Sequence, residues 1–162
     1  VLSSAASDVY KRQLPDNPLV SELFKAVHGK KDKKGKIDLL SQYKRDDVKA
    51  LLIWNFDKQI RSAIPEGEVP YKKNDAPINS GGHTRLVHEW RTLYNYIKGG
   101  NDSLSQMKRE NMFIQLLEGL HESESEIVML VKDSKLQTKY RITRALVEDV
   151  FGKEITWRDK GG

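Results

Sequence analysis

The feature that most constrains the fold is a long connecting segment, residues 65–82, which contains three prolines and separates two strongly helical parts of the chain. Connections inside a compact domain are usually about 4–6 residues long, and a much longer one is either functional or disordered. Proline restricts the backbone of the residues around it. The segment is therefore predicted to be a shaped loop.

On both sides of this loop, apolar residues recur at three- and four-residue steps, as they do on one face of an α-helix. No segment shows sustained two-residue alternation beside a hairpin signal. The sequence thus predicts an all-α fold, a compact single-domain bundle of six or seven short helices with one long Pro-rich loop. Their approximate spans are 18–28, 34–43, 46–64, 84–97, 105–120, 123–131 and 143–151.

Several helix ends carry recognisable capping signals. Asn17 followed by Pro18 predicts the first helix start, and Ser103 or Ser105 is expected to cap the fifth helix. Ser123 followed by Glu126 has the spacing of a capping box, which predicts the start of the sixth. These signals divide the helical periodicity into short elements.

Composition limits the classes of protein to which the chain can belong. Charged residues make up 31% of the chain and the mean hydropathy is -0.64, so we expect a water-soluble protein. No stretch approaches the roughly 20 apolar residues that a membrane-spanning helix needs. The absence of cysteine excludes disulfides, thiolate catalysis and cysteine-based zinc sites. These features predict a cytoplasmic location without membrane contact.

The two ends of the chain differ in character from the rest. Residues 1–13 resemble the translated read-through of a sequencing adapter, so we expect them to be a non-native, disordered tail. Residues 14–152 are predicted to form the helical domain. Residues 153–162 follow the last apolar stripe and are predicted to be a C-terminal tail.

The formal net charge is +5, and much of it is concentrated where the first predicted helix gives way to the second, around Gly29 and Gly35. We call this group the lysine cluster: Lys30, Lys31, Lys33, Lys34 and Lys36. Clustered lysines displace counterions from nucleic acid, which predicts a phosphate-contacting patch. A solvated loop kept polar for solubility is the alternative interpretation of the same residues.

The long loop and the helix after it supply a second candidate surface. Tyr71, Lys72 and Lys73 lie at the centre of the loop, and Arg85 and Arg91 follow on the fourth predicted helix. Together they predict a basic and aromatic surface that could bind phosphates, bases or an acidic protein. Alternatively, the prolines only brace the loop, and Tyr71 packs as an anchor.

Nothing in the sequence specifies a catalytic site. His83 and His88 are five residues apart, so on one helix they diverge by about 140° and do not form a metal-binding pair. The paired glycines lack the spacing of a phosphate-binding P-loop. We therefore predict a protein that is not an enzyme, with no metal and no cofactor. A hydrolase would need convergence of at least two of four carboxylates: Glu110, Glu118, Glu122 and Asp133.

Four segments, residues 65–77, 98–101, 109–120 and 131–136, resemble a family of small proteins of tailed bacteriophages of the myovirus type. The resemblance covers residues 19–151 and rests on motifs that shape the fold. It implies a phage origin and a role in the host bacterial cytoplasm, and it implies no mechanism.

Three functional hypotheses follow. The first is a non-enzymatic phage accessory protein that binds nucleic acid, or nucleic-acid-processing machinery, through the lysine cluster and the loop. The second is a protein-only interaction module, either an inhibitor of a host factor or an assembly component. The third is a small hydrolase that depends on a divalent metal. The expected partner is accordingly nucleic acid or a host or phage protein.

Overall fold

The computed structural model describes residues 14–157, and eight α-helices account for half of this span. The described residues contain no β-strand, only isolated bridges such as the one between Thr84 and Leu120. The predicted all-α class is confirmed. The helices are α1 (Val20–His28), α2 (Lys33–Gln42), α3 (Asp46–Phe56), α4 (Leu86–Glu89), α5 (Gln106–Gly119), α6 (Glu122–Lys132), α7 (Leu136–Tyr140) and α8 (Arg144–Phe151), with 3-10 helices at Trp90–Tyr96 and Gly152–Glu154.

Side-chain caps start several of these helices. Ser105 accepts a hydrogen bond from the Lys108 amide at 3.2 Å, which confirms its predicted role. The predicted capping box at Ser123 is wrong, because His121 is the cap of α6 and Ser123 lies inside the helix. The first helix begins at Val20, two residues after Pro18.

The fourth predicted helix is α-helical only at Leu86–Glu89 and continues as a 3-10 helix at Trp90–Tyr96. In a 3-10 helix, residues three apart lie on one side, so Leu93 and Tyr96 both face the core. Tyr94, which the 3.6-residue pattern places on the buried stripe, is 50% exposed. That prediction is wrong because the tighter winding turns Tyr94 outward.

Two further boundaries differ from the sequence pattern. The third helix ends at Phe56, and Asp57 turns the chain by accepting a hydrogen bond from the Gln59 amide at 2.8 Å. A short additional helix, α7, lies between Ser134 and Arg141, which both have positive φ angles, 59° and 53°. These left-handed residues separate α7 from its neighbours, so its single turn is too short to show a helical period in the sequence.

The core is built around α6, which packs against α1, α3, α5 and α7. Phe24, Leu51, Phe113 and Ile127 are fully buried there. Burial of each such side chain stabilises the fold by about 1.5–3 kcal/mol. Flanking this core, α2 packs on both α1 and α8. The turn that carries the lysine cluster therefore lies next to the turn between α7 and α8.

The beginning of the long loop is fastened to the end of α6. The buried amine of Lys132 donates to the carbonyl oxygens of Pro65 at 2.9 Å and Gly67 at 2.8 Å. Asp133 accepts from Lys132 at 2.7 Å and from the Gly67 amide at 3.2 Å. These bonds satisfy backbone groups that a loop would otherwise leave unpaired.

The rest of the loop runs along the end of α5. Glu118 accepts from the Lys72 amide at 2.8 Å, and the Asn74 side chain donates to the Gly119 carbonyl at 3.2 Å. The Thr84 amide also donates to Gly119, at 2.7 Å. The loop is thus shaped by side chains of the loop itself and of α5 and α6.

The chain after α8 folds back onto the domain. Ile155 is buried, and the Trp157 ring lies 6.3 Å from the Phe56 ring in an edge-to-face arrangement. The part of the predicted C-terminal tail up to Trp157 therefore packs on its own domain. The predicted tail at residues 1–13 lies outside the described residues. None of the helices in the described span is long and apolar enough to cross a membrane.

Candidate nucleic-acid interface

The lysine cluster surrounds the N-terminus of α2. Lys30 and Lys31 lie in the turn after α1, while the other three members of the cluster lie in α2 itself. Asp32 caps this helix by accepting from the Gly35 amide at 2.8 Å. This cap fixes the backbone of the turn and of the first helical residues, which carry the lysine cluster.

A depression of about 260 Å³ lies between this turn and the start of α8. Four cationic side chains line it, together with one carboxylate, that of Asp32. Arg141 is the cation that the sequence did not associate with the cluster, because it is more than a hundred residues away along the chain. The lining residues are Lys31, Asp32, Lys33, Lys36, Arg141, Thr143, Ala145 and Leu146.

Little of this positive charge is neutralised within the protein. Lys33 pairs with Asp149 at 2.8 Å on an exposed surface. For Lys31, Lys36 and Arg141, the described residues provide no carboxylate partner. The N-termini of α2 and α8 both border the depression. The N-terminus of α8 adds partial positive charge, whereas that of α2 is capped by the Asp32 carboxylate. This arrangement can bind phosphate groups.

The loop residues that the sequence singled out lie elsewhere. Tyr71 packs against the core, and its pKa is raised by burial first and then by the nearby charges of Glu126 and Glu122. Lys72 and Lys73 are exposed. None of the three lines the cationic depression. The anchor interpretation of Tyr71 agrees with its packing.

The two arginines are also separated from the lysine cluster. Arg85 precedes α4 in extended backbone, and one of its terminal nitrogens donates to the Asn17 carbonyl. Arg91 is exposed and lies over the Trp90 ring at 5.6 Å. Of the predicted surface residues, only Lys31, Lys33 and Lys36 of the lysine cluster line the depression. Lys30 and Lys34 belong to the same turn and helix but do not line it.

A larger cleft of about 700 Å³ separates α1 from α6, α7 and the tip of the long loop. The sequence did not reveal it, because its residues come from distant parts of the chain. It is lined by Leu14, Ser21, Glu22, Lys25, Ala26, His28, Ile78, His121, Ser123, Glu126, Lys139 and Tyr140.

A short chain of hydrogen bonds crosses this cleft. The hydroxyl oxygens of Ser21 and Ser123 are 2.7 Å apart, and Ser123 Oγ lies 2.7 Å from His121 Nδ1. The Ser123 amide donates to the same Nδ1 at 3.2 Å. Because an amide can only donate, His121 carries its proton on Nε2, and the Ser123 hydroxyl donates to Nδ1. The hydroxyl of Ser21 in turn donates to Ser123.

His121 is poised to remain neutral. Burial lowers its pKa, and the neighbouring His83 lowers it further, with the two ring centroids 5.2 Å apart. Both nitrogens of His83 face carbonyl oxygens, that of Thr84 at 2.8 Å and that of Ile78 at 2.9 Å. These two contacts hold the His83 ring in place beside that of His121.

The cleft and the cationic depression lie on either side of one contact. His28 Nδ1 lies 3.0 Å from the Tyr140 carbonyl oxygen, which joins the end of α1 to the end of α7. Both residues line the cleft, and the next residue of the chain, Arg141, lines the depression.

The third opening is a mainly apolar groove of about 370 Å³ between α3 and the 3-10 helix. The half-exposed Tyr94 lies on it, and Arg91 is its one charged residue. Its other lining residues are Ala50, Ile53, Trp54, Ile60, Trp90, Leu93 and Ile97.

The carboxylates that a metal-dependent hydrolase would need have separate partners. Glu118 accepts from the Lys72 amide, Glu110 accepts from Gln106 at 3.0 Å, and Asp133 is bound to Lys132. In the described part of the chain, no three His, Asp or Glu side chains come together to hold a metal ion.

Comparison with known proteins places the chain in a family. The model of a family of unknown function, DUF6433, matches residues 23–138. The chain belongs to DUF6433. No curated protein and no solved structure matches it.

The span that matches DUF6433 includes the lysine cluster and the whole long loop. It ends two residues before Tyr140 and therefore excludes Arg141 and α8. The DUF6433 match thus contains one side of the cationic depression, and the remaining side is formed by residues that follow it.

Proposed function

We propose that this chain is a non-enzymatic accessory protein of a tailed bacteriophage that binds nucleic acid in the infected bacterial cell. The contact is made by the lysine cluster together with Arg141. The observation that carries the proposal is the depression lined by four cationic side chains and bordered by two helix N-termini.

The charge at this site suits a polyanion. Lys31, Lys36 and Arg141 have no carboxylate partner in the described residues, so their charge is available to a phosphate backbone. Each phosphate that they neutralise releases a counterion, and binding becomes steeply dependent on salt. For three such contacts, the slope of log affinity against log salt concentration is about -3 on duplex DNA.

The test compares two variants that lose the same charge. The site variant carries Lys31→Gln, Lys36→Gln and Arg141→Gln, and the control carries Lys98→Gln, Lys108→Gln and Lys135→Gln at exposed positions outside the depression. Affinity for a labelled single strand and a labelled duplex is measured at ~50 mM and ~200 mM salt.

We expect the site variant to lose most of the affinity and to reduce the salt slope by about three, while the control keeps both close to the wild type. If the wild type binds neither nucleic acid at ~50 mM salt, the proposal fails and a protein-only interaction takes its place. Equal losses in the two variants would also contradict it, because binding would then reflect net charge alone.

A further inference from the structure

We infer that the nucleic acid is single-stranded, and that the cleft between α1 and α6 takes one unstacked base of the strand whose phosphates lie on the lysine cluster. This inference rests on the proposed function and adds a binding site to it. Tyr140 lines the cleft, and the next residue of the chain, Arg141, lines the cationic depression.

The first support is the continuity of the two sites. The hydrogen bond between His28 and the Tyr140 carbonyl joins the two turns that separate cleft from depression. Lys30 follows His28 by two residues, and Arg141 follows Tyr140 directly. A strand whose phosphates contact Lys31 and Arg141 would thus pass the mouth of the cleft.

The second support is the difference in charge between the two sites. The cleft is lined by two lysines and two glutamates, so it is balanced, whereas the depression is strongly cationic. Within the cleft, Lys139 pairs with Glu126, and Glu22 accepts from the Leu19 amide at 2.9 Å. A neutral group, not a phosphate, suits such a lining.

The third support is the chemistry of the walls. His28, which is exposed, and the half-buried His121 line the cleft with Tyr140, whose ring packs edge-to-face on Phe24, and Ala26 and Ile78 add apolar surface. Bases of single strands are bound by stacking on aromatic side chains and by hydrogen bonds to their edges. The volume of about 700 Å³ is ample for one base. A base in a duplex would first have to be unpaired and unstacked, which favours the single strand.

The experiment separates recognition of bases from recognition of phosphates. Oligothymidylate of about ten nucleotides is compared with an abasic strand of the same length and charge. The test variant is Ala26→Leu, which fills the cleft from a helix that accommodates leucine well. The matched control is Ala50→Leu, on α3 in the apolar groove. An oligouridylate arm distinguishes RNA from DNA.

We expect the wild type to bind oligothymidylate roughly tenfold more tightly than the abasic strand. The Ala26→Leu variant should lose this difference and keep its affinity for the abasic strand, and Ala50→Leu should behave as the wild type. Equal wild-type affinity for the two strands would overturn the inference while leaving phosphate binding intact. No binding of either strand would overturn the proposed function itself.

An NMR measurement on the wild type tests the same inference without depending on the folding of a variant. The ring signals of His28 and His121 are followed by NMR during titration with each strand. Oligothymidylate should shift both sets of signals, and the abasic strand should leave those of His121 unchanged. Identical shifts with the two strands would contradict base binding in the cleft.

Discussion

The buried carboxylate of Glu124 accepts a hydrogen bond from the Leu86 amide at 3.0 Å, where the chain leaves the long loop and enters α4. Its other oxygen accepts from the Val20 amide at 2.9 Å, at the first residue of α1. The side chains of the residues that precede these helices, Leu19 and Arg85, make no capping bond, and α1 has only the bond from the Leu19 amide to Glu22. One acid on α6 therefore satisfies the starts of two helices that are distant in the chain.

Replacement of this acid should destabilise the fold. Glutamine in Glu124→Gln offers one acceptor oxygen, so one buried amide loses its partner, and we expect a loss of about 1–3 kcal/mol in the free energy of unfolding. Urea denaturation measures it. Glu126→Gln, on the exposed face of the same helix, is the control and should cost no more than about 1 kcal/mol. Similar losses in both variants would contradict the capping role.

The same residue makes a pH-dependent contribution to stability. Burial raises the pKa of Glu124 above 4.5, and Asp47 adds to the rise, while the two amides and Arg85 oppose it. The folded state thus holds a proton that the unfolded state has lost. The contribution of Glu124 should decline as pH rises from 4.5 through the raised pKa. As pH rises across this window, the difference in unfolding free energy between the wild type and Glu124→Gln should become smaller. A difference that grows with pH would contradict a raised pKa of Glu124.

Lys132 should be essential for the shape of the long loop. Its fully buried amine pairs with Asp133 and donates to two loop carbonyls, so Lys132→Met leaves a charge and two carbonyls without their partner. We expect a loss of about 3–5 kcal/mol and faster proteolysis near residues 65–67. Lys135→Met, at an exposed position, serves as the control. Unchanged proteolysis in Lys132→Met would show that the loop is held by other contacts.

The turn after the 3-10 helix tolerates no side chain at Gly100. A Cβ there would lie 1.8 Å from the Tyr94 carbonyl oxygen, so the backbone must move in Gly100→Ala. Overpacking of this kind costs about 1–3 kcal/mol. At Gly81 a Cβ meets nothing within 4 Å, and Gly81→Ala should change stability by less than about 0.5 kcal/mol. Thermal denaturation of Gly100→Ala and Gly81→Ala measures the two losses. Equal melting temperatures would contradict the contact between Gly100 and the Tyr94 carbonyl.

The pKa of His121 should depend on the facing ring of His83. The lowered pKa of His121 means that its contribution to stability is complete above pH 6.5 and is lost as pH falls through the lowered value. His83→Gln removes the neighbour that lowers the pKa of His121, so this pKa should move upward, as read from NMR titration of the His121 ring protons. His88→Gln, at an exposed position on α4, should leave it in place. An unmoved midpoint in His83→Gln would show that burial alone lowers this pKa.

Local patterns predicted much of the fold. The apolar stripes of α1, α5 and α8 and the cap at Ser105 depend on residues within one or two helical turns, so they can be recognised in a single sequence. The turn that carries the lysine cluster was predictable for the same reason, because Gly29 ends one helix and Asp32 starts the next.

Features that depend on partners far along the chain could not be predicted in this way. The 3-10 winding at Trp90–Tyr96 follows from how Leu93 and Tyr96 reach the core, and the burial of Glu124 follows from the packing of α6 against two other segments. Arg85 was predicted to lie on a cationic surface, but its guanidinium donates a hydrogen bond to the Asn17 carbonyl.

The sequence by itself determined the helical class, the positions of most helices and the concentration of lysines in residues 30–36, because each of these depends on neighbouring residues. Only the tertiary structure brought Arg141 to the lysine cluster and placed His28 against Tyr140 beside a cleft. Those relationships arise when α2 packs on α8 and α1 on α7, and such long-range packing leaves no periodic signal in a single chain.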